Sequence, residues 1–252
     1  MNRFEGRVAL ITGASRGIGF AIAQRIVAEG GSVVITGRKQ DALDEAVASL
    51  GSRAVGVSGR ADDAQHRAAV YELITARWGY LDHLVNNAGI NPAYGPLADV
   101  GVDVMRKTLE VNVIATLEWA RDAVSTGLLG SSARPGGSIV NISSISGIAA
   151  APGIGFYGVS KGALITLTLQ QAAEFAPSIR VNAVAPAVIK TDFAKALYEG
   201  REAEAAAQYP LKRLGESADV AGPVAFLLSD DAAWITGQTI VIDGGASVGS
   251  IL

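Results

Sequence analysis

Apolar and polar positions along the chain fall into two alternating rhythms. Short apolar runs rich in Val and Ile stand at 8–11, 32–36, 53–57, 83–86, 137–142, 179–185 and 238–242. Between them, apolar residues recur at helical spacing at about 17–29, 41–49, 64–78, 102–125, 157–175 and 218–228. Strands alternating with helices imply right-handed crossovers and a parallel sheet covered on both faces. No linker, charge block, low-complexity segment or internal repeat interrupts the alternation, so a single α/β domain over 1–252 is expected. Two segments break the rhythm. Residues 125–137 hold Gly, Ser, Arg134 and Pro135 and read as a surface loop. Residues 192–216 are rich in Ala and Glu, with Tyr198, Tyr209 and Pro210 among them.

Composition then narrows the classes. Of 252 residues, 49% are hydrophobic and 18% charged, ample for a large core. The mean hydropathy of +0.31 is high for a protein in water. A rich core and a surface buried between copies of the chain would both explain it. A net charge of −3 offers no basic field to nucleic acid or to an anionic membrane. Without cysteine there is no disulfide, thiol nucleophile or cysteine metal site. The two histidines, His66 and His83, are 17 residues apart and read as surface or satisfied structural residues, so no metal is expected. No run has the length of a membrane span, and the start MNRFEGRVALITG has no signal-like apolar stretch; a cytoplasmic location is expected.

Two constellations carry chemistry. The first strand leads directly into Thr12-Gly13-Ala14-Ser15-Arg16-Gly17-Ile18-Gly19, and helical periodicity follows from Phe20. Strand, glycine-rich turn and helix are the setting of a dinucleotide fingerprint, here spaced GxxxGxG. Gly13 permits the tight turn, Gly17 lets backbone approach a pyrophosphate, and Gly19 lets the helix pack on the strand. The helix start then offers N–H groups and positive dipole to phosphates. The second constellation is Tyr157-Gly158-Val159-Ser160-Lys161. Four residues apart on a helix, phenol and ammonium share a face. A cation beside the phenol lowers its pKa from about 10 towards neutrality, which suits a general acid or base.

With Asn86-Asn87-Ala88-Gly89 and Ser144 between these motifs, the chain resembles the short-chain dehydrogenase/reductase family from about residue 5 to the C-terminus. The resemblance implies a Rossmann fold, doubly wound, with seven parallel strands ordered 3-2-1-4-5-6-7. It implies hydride transfer between a nicotinamide cofactor and a carbonyl or alcohol. In that scheme Tyr157 protonates the carbonyl oxygen and Ser144, thirteen residues earlier, hydrogen-bonds it. Lys161 holds the phenol pKa down and bonds the nicotinamide ribose. Ser143 is the decoy, expected to point to the opposite face. Asn112, a polar amide in Val111-Asn112-Val113, needs partners; the family gives it a water beside the lysine. Asn87, Ala88 and Gly89 shape the adenosine pocket, with a purely structural role for Asn87 equally open. Pro186, Ile189 and Thr191 lie at the nicotinamide, with Ala187 where the family usually has glycine. The resemblance implies a mobile helical flap over the substrate at residues 192–216, with a plain surface helix pair as the other reading. The helices of 102–125 and 157–175, and the C-terminal strand region, join copies into a homodimer or homotetramer.

Cofactor choice is read in Val34-Ile35-Thr36-Gly37-Arg38-Lys39. NAD sites usually carry Asp or Glu at the end of the second strand, whereas Arg suits a 2′-phosphate. Here Gly37 holds the acidic position, Arg38 follows, and Arg16 offers a second guanidinium. NADPH is therefore expected over NADH, with Ser15 and Ile18 in the phosphate loop. Relatives carry Asp against the adenine after the third strand. This chain reads Ser58-Gly59-Arg60-Ala61-Asp62-Asp63, so either Asp62 substitutes from a shifted loop or the contact is missing.

The leading expectation is an NADPH-dependent ketone or aldehyde reductase. A 3-oxoacyl-thioester reductase is weakened by Gln170-Gln171-Ala172-Ala173-Glu174, which lacks a base for a carrier protein. An alcohol or sugar dehydrogenase and a nucleotide sensor without turnover complete the alternatives. Tyr94, Ile154, Phe156 and the flap would line an apolar pocket, which cannot name one ketone among many.

Overall fold

β-Branched runs pair into one sheet because each is apolar on both faces and needs cover on both. The strands are β1 (Val8–Ile11), β2 (Ser32–Gly37), β3 (Ala54–Ser58), β4 (His83–Asn86), β5 (Gly137–Ile142), β6 (Ile179–Pro186) and β7 (Thr239–Ile242). Their order is β3-β2-β1-β4-β5-β6-β7, and every pairing is parallel. These come from a computed structural model that describes residues 2–248; Met1 and residues 249–252, the last of the family-like stretch, lie outside the described residues. The helices are α1 (Gly17–Ala28), α2 (Gln40–Leu50), α3 (Ala64–Arg77), α4 (Val102–Leu109), α5 (Ala115–Ser125), α6 (Gly155–Phe175), α7 (Glu202–Ala207) and α8 (Ser217–Leu228).

Strand alternation divides the core in two. Ala9 and Ile11 of β1 join α1, α2 and α8 on one face, while Val8 and Leu10 join α3, α5 and α6 on the other. The order reverses between β1 and β4, the switch point at whose carboxyl strand ends sheets of this kind bind ligands. None of the described helices is long and apolar enough to cross a membrane.

Four expectations change. The helix of 102–125 is broken by a π turn at Glu110–Ile114. The helix expected from residue 157 starts at Gly155. The loop 125–137 is not all surface: Leu128 and Leu129 are buried, and Leu129 bridges to Leu81. The histidines, expected as surface or satisfied structural residues, are both buried, and the Nε2 of each lacks a partner among the described residues. His83 at least bonds Ser138 Oγ through Nδ1 at 2.8 Å. Burial pushes its pKa down to about 3, so it stays neutral.

One close contact positions the catalytic candidates. After β5 a 3₁₀ turn, Ile145–Gly147, lies directly on α6. A Cβ at Gly147 would stand 2.6 Å from Gly162 N and from Lys161 C, and one at Gly158 would stand 2.6 Å from Ser146 O. Backbone meets backbone, so neither side can yield as a side chain could. Gly147→Val should therefore cost about 1–3 kcal/mol in chemical denaturation. Gly222→Ala, with nothing within 4 Å of the added methyl, should be neutral or stabilising. Equal stability of Gly147→Val and the parent would refute the contact.

Candidate active site

The glycine turn after β1 has the backbone the spacing requires. Gly13 and Gly17 adopt φ of 64° and 60°, where a side chain would strain. A Cβ at Gly13 would stand 2.9 Å from Ala88 Cα, and one at Gly19 would stand 2.8 Å from Gly13 O. Arg16 is the N-cap of α1 and no side chain caps that end. The first N–H groups of α1, including those of Gly17 and Ile18, thus remain free of a side-chain cap at a helix N-terminus suited to phosphate. A ligand's backbone-approaching phosphates fit this turn as it stands.

Thr12 ties the turn to the fourth strand. Its Oγ1 accepts the N–H groups of Asn87 and Ala88, each at 3.0 Å. Asn87 Nδ2 donates to Thr12 O at 3.0 Å and Gly13 O at 2.8 Å. The Asn87 side chain is therefore engaged in holding the glycine turn. Thr12 had no role assigned from sequence. Its only signal was a hydroxyl at the strand end beside the first glycine.

β2 ends at Gly37, which is buried against Ser15 of the glycine turn. A Cβ at Gly37 would meet Ser15 Oγ at 3.1 Å, so an acidic side chain there would crowd Ser15. Arg38 is exposed and has no carboxylate within ion-pair distance among the described residues. Arg16 instead pairs with Asp192 at 3.1 Å, with both side chains mostly exposed. Asp62, the candidate substitute carboxylate, is engaged in ion pairs. Arg60 binds it at 2.9 Å, Lys107 also pairs with it, and the pairing with Arg60 holds its pKa well below the ordinary range.

β5 and α6 bring Ser144, Tyr157 and Lys161 together. The strand ends at Ile142, and pleating sends Ser143 and Ser144 opposite ways. Ser143 Oγ donates to Lys161 O at 2.9 Å, whereas Ser144 Oγ turns to the 3₁₀ turn, accepting from Ser146 N at 3.2 Å, and faces the Tyr157 phenol. Lys161, 3% exposed, donates to Ile142 O at 2.7 Å. Its Nζ lies 5.6 Å from the centroid of the Tyr157 ring.

The expected acidified phenol is not found here. Burial raises the Tyr157 pKa above its ordinary value; the Ser144 hydroxyl opposes that rise and Tyr94 adds to it. Lys161 does not counter it, because its ammonium is aimed at the Ile142 carbonyl. Burial pushes Lys161 down to about 8. Desolvation of both charged forms outweighs their attraction at this separation.

Asn112 sits in the π turn, wholly buried. Its Oδ1 accepts Ile90 N at 2.8 Å, and its Nδ2 donates to Ile90 O at 2.9 Å and Ser160 Oγ at 3.0 Å. A Cβ on Gly89 would lie 3.3 Å from Asn112 Oδ1 and 3.4 Å from Lys161 Nζ. Gly89 is thus the gap that both polar groups border. The π turn, a recurrent feature of functional sites, aims the amide there. Nothing in the periodicity marked it.

The far wall comes from β6 and the flap. Pro186 ends the strand, and Ala187 N donates to Ile242 O at 2.9 Å without positive φ, so no glycine is required. Ile189 is buried and bridges to Gly215. Thr191 Cγ2 lies 3.3 Å from where a Gly17 Cβ would stand, which joins this wall to the glycine turn. Lys190, just before the segment 192–216, pairs with Glu202 inside it at 3.1 Å and with Glu216 at its end at 2.9 Å. The flap carries Phe193 to 6.0 Å from Tyr157, ring to ring. Tyr94, Leu97, Ile148 and Phe193 remain exposed apolar side chains on segments around the phenol.

Comparison with known proteins bears on this arrangement. A family model described as enoyl-(acyl carrier protein) reductase matches residues 13–247. Dehydrogenase/reductase SDR family member 4 of Homo sapiens is 42% identical over 245 residues, covering 95% of this chain and 87% of the relative. Tropinone reductase-like 3 of Erythroxylum coca is 40% identical over 248 residues, covering 96% and 94%. A solved structure from Brucella melitensis, titled short-chain dehydrogenase/reductase SDR:glucose/ribitol dehydrogenase, superposes with a TM-score of 0.90 at 34% identity, covering 97% and 98%. Together with the glycine turn, the Tyr157–Lys161 pair and the strand order, these matches make the chain a member of the short-chain dehydrogenase/reductase family and an NAD(P)-dependent oxidoreductase.

Proposed function

We propose that the protein is an NADPH-dependent reductase of ketone and aldehyde carbonyls, with Tyr157 as the proton donor. The observation that carries this reading is the convergence of Tyr157, Ser144 and Lys161 at the crevice that the Gly13–Gly19 turn enters. A nicotinamide bound there supplies hydride to the carbonyl carbon. Tyr157, its pKa raised by burial, is protonated at neutral pH and donates from Oη to the carbonyl oxygen. Ser144 Oγ hydrogen-bonds the same oxygen as charge develops. Lys161 keeps positive charge beneath the phenol, and Asn112 supports the lysine side of the gap at Gly89.

NADPH preference rests on Gly37 and on Arg38, exposed without a carboxylate partner, with Arg16 nearby in the phosphate turn. The 2′-phosphate would draw Arg16 from Asp192, an exposed pair worth little. Pro186, Ile189 and Thr191 would bound the nicotinamide end, and Ser15, Ile18, Ala88 and Gly89 the phosphates and adenosine. The exposed apolar rim of Tyr94, Leu97, Ile148 and Phe193 favours an apolar carbonyl over a polyol. The relative named as a tropinone reductase supports a carbonyl substrate. Because the matched family model is described by an acyl-carrier-protein substrate, an acyl thioester belongs in the assay panel. The exposed Ile114 and Leu117, Val159 and Leu169 on two helical segments, with Trp234 and Val241 near β7, support a homodimer or homotetramer. We place the protein in the cytoplasm, in keeping with its lack of cysteine.

Replacing Arg38 and Arg16 together with alanine should raise KM for NADPH about 10- to 100-fold and leave that for NADH nearly unchanged. Parallel change in both would refute the 2′-phosphate assignment. Tyr157→Phe should lower kcat by about 10²–10⁴ while NADPH binds as before. In the parent, kcat/KM for reduction should hold at neutral pH and decline as pH rises through about 8, where Lys161 loses its proton. A profile that climbs through that range would contradict the role given to the ammonium.

A further inference from the structure

We propose that Ser146 is a positioning residue that makes the Ser144 hydroxyl a dedicated hydrogen-bond donor to the reacting carbonyl oxygen. This deepens, and rests on, the carbonyl-reductase reading of the same site. Ser144 is the N-cap of the 3₁₀ turn Ile145–Gly147, and its Oγ accepts Ser146 N at 3.2 Å. A cap of that kind needs only the backbone N–H. Here the same residue reaches Ser144 Oγ a second time, through its own Oγ at 2.9 Å.

Counting donors and acceptors gives the consequence. A serine hydroxyl has two lone pairs and one hydrogen. Ser146 is 9% exposed, and Ser144 Oγ is the one hydrogen-bond partner of its hydroxyl among the described residues. With the Ser146 O–H and N–H both directed at Ser144 Oγ, the two lone pairs are filled. Only the Ser144 hydrogen is left to give, and the Tyr157 phenol is the other group within its reach. That polarity suits an oxygen gaining negative charge during hydride transfer, which needs donors. It also denies Tyr157 an acceptor at Ser144, so the phenol proton stays available for the substrate. The opposite polarity, with Ser144 donating to Ser146, would spend the one hydrogen Ser144 has. The main chain keeps Ser146 in place. Gly147 N donates to Ser144 O at 3.0 Å and closes the turn. Ser146 O lies 2.6 Å from where a Cβ of Gly158 would stand, so the turn is pressed on α6 one residue after Tyr157.

The test measures single-turnover oxidation of NADPH by stopped flow, with the fastest-reduced of benzaldehyde, acetophenone and cyclohexanone as substrate. Ser146→Ala should slow hydride transfer about three- to tenfold, the worth of one hydrogen bond, and leave the NADPH dissociation constant unchanged. In a Ser144→Ala background the same change should have less than about a twofold effect, because Ser146 acts through that hydroxyl. A merely structural role would survive in that background, since a distorted turn would still disturb Tyr157. Thermal unfolding reports the fold of each variant. Ser146→Cys, a weak donor of similar size, carries the same comparison if Ser146→Ala does not fold. Ser146→Ala at the parent rate, or rate losses that multiply in the double variant, would overturn the proposal and leave the reductase reading intact. A parent that reduces none of these carbonyls, or a Ser144→Ala variant as fast as the parent, would overturn both.

Discussion

A buried ammonium bonded to a strand-end carbonyl ties α6 to the sheet. Lys161 donates to Ile142 O, the last carbonyl of β5, and Ser143 returns a bond to Lys161 O. These two bonds, with the backbone contact of Gly147 on Gly162, lock the turn carrying Ser144 against the helix carrying Tyr157. An ammonium so deeply buried is costly unless it is satisfied, and the carbonyl supplies that satisfaction. The distance between phenol and serine hydroxyl thus follows from how the helix is fastened, more than from either residue alone.

The same burial explains the electrostatics. Burial raises the phenol and lowers the lysine, each towards its neutral form. For a proton donor this is favourable, because the phenol keeps its proton at the pH of use. The pocket also leaves the pair sensitive to small movements of Lys161. If the ammonium swung from Ile142 O towards the phenol oxygen, the balance between desolvation and attraction would shift.

Beyond the sheet, the segment 192–216 is tied to its own root and starts on an aromatic contact. Lys190 bridges Glu202, inside the segment, and Glu216, at its end, while Phe193, near its start, lies against Tyr157. Ion pairs this exposed contribute little each. Together they draw the two ends of the segment to one place beside Tyr157.

Most of the architecture was legible in the order of residues. Seven apolar runs became seven strands, and the glycine turn and Tyr157–Lys161 spacing marked the crevice, because local periodicity and backbone need are written position by position. Other features were invisible there. The π turn at Asn112 keeps helical spacing to the eye, and the buried pair Leu128–Leu129 lies within a segment whose Gly and Pro suggest a surface loop. The direction of the Tyr157 pKa depends on how folding buries the phenol, and the pairing of Asp62 with Lys107 joins residues 45 positions apart. His66 fills the space beside Gly59 from seven residues away. The chain's pattern determined the elements and their sequence of turns. Desolvation, ion pairing and occupied volume were decided only by tertiary structure, because each depends on neighbours that folding brings from distant parts of the chain.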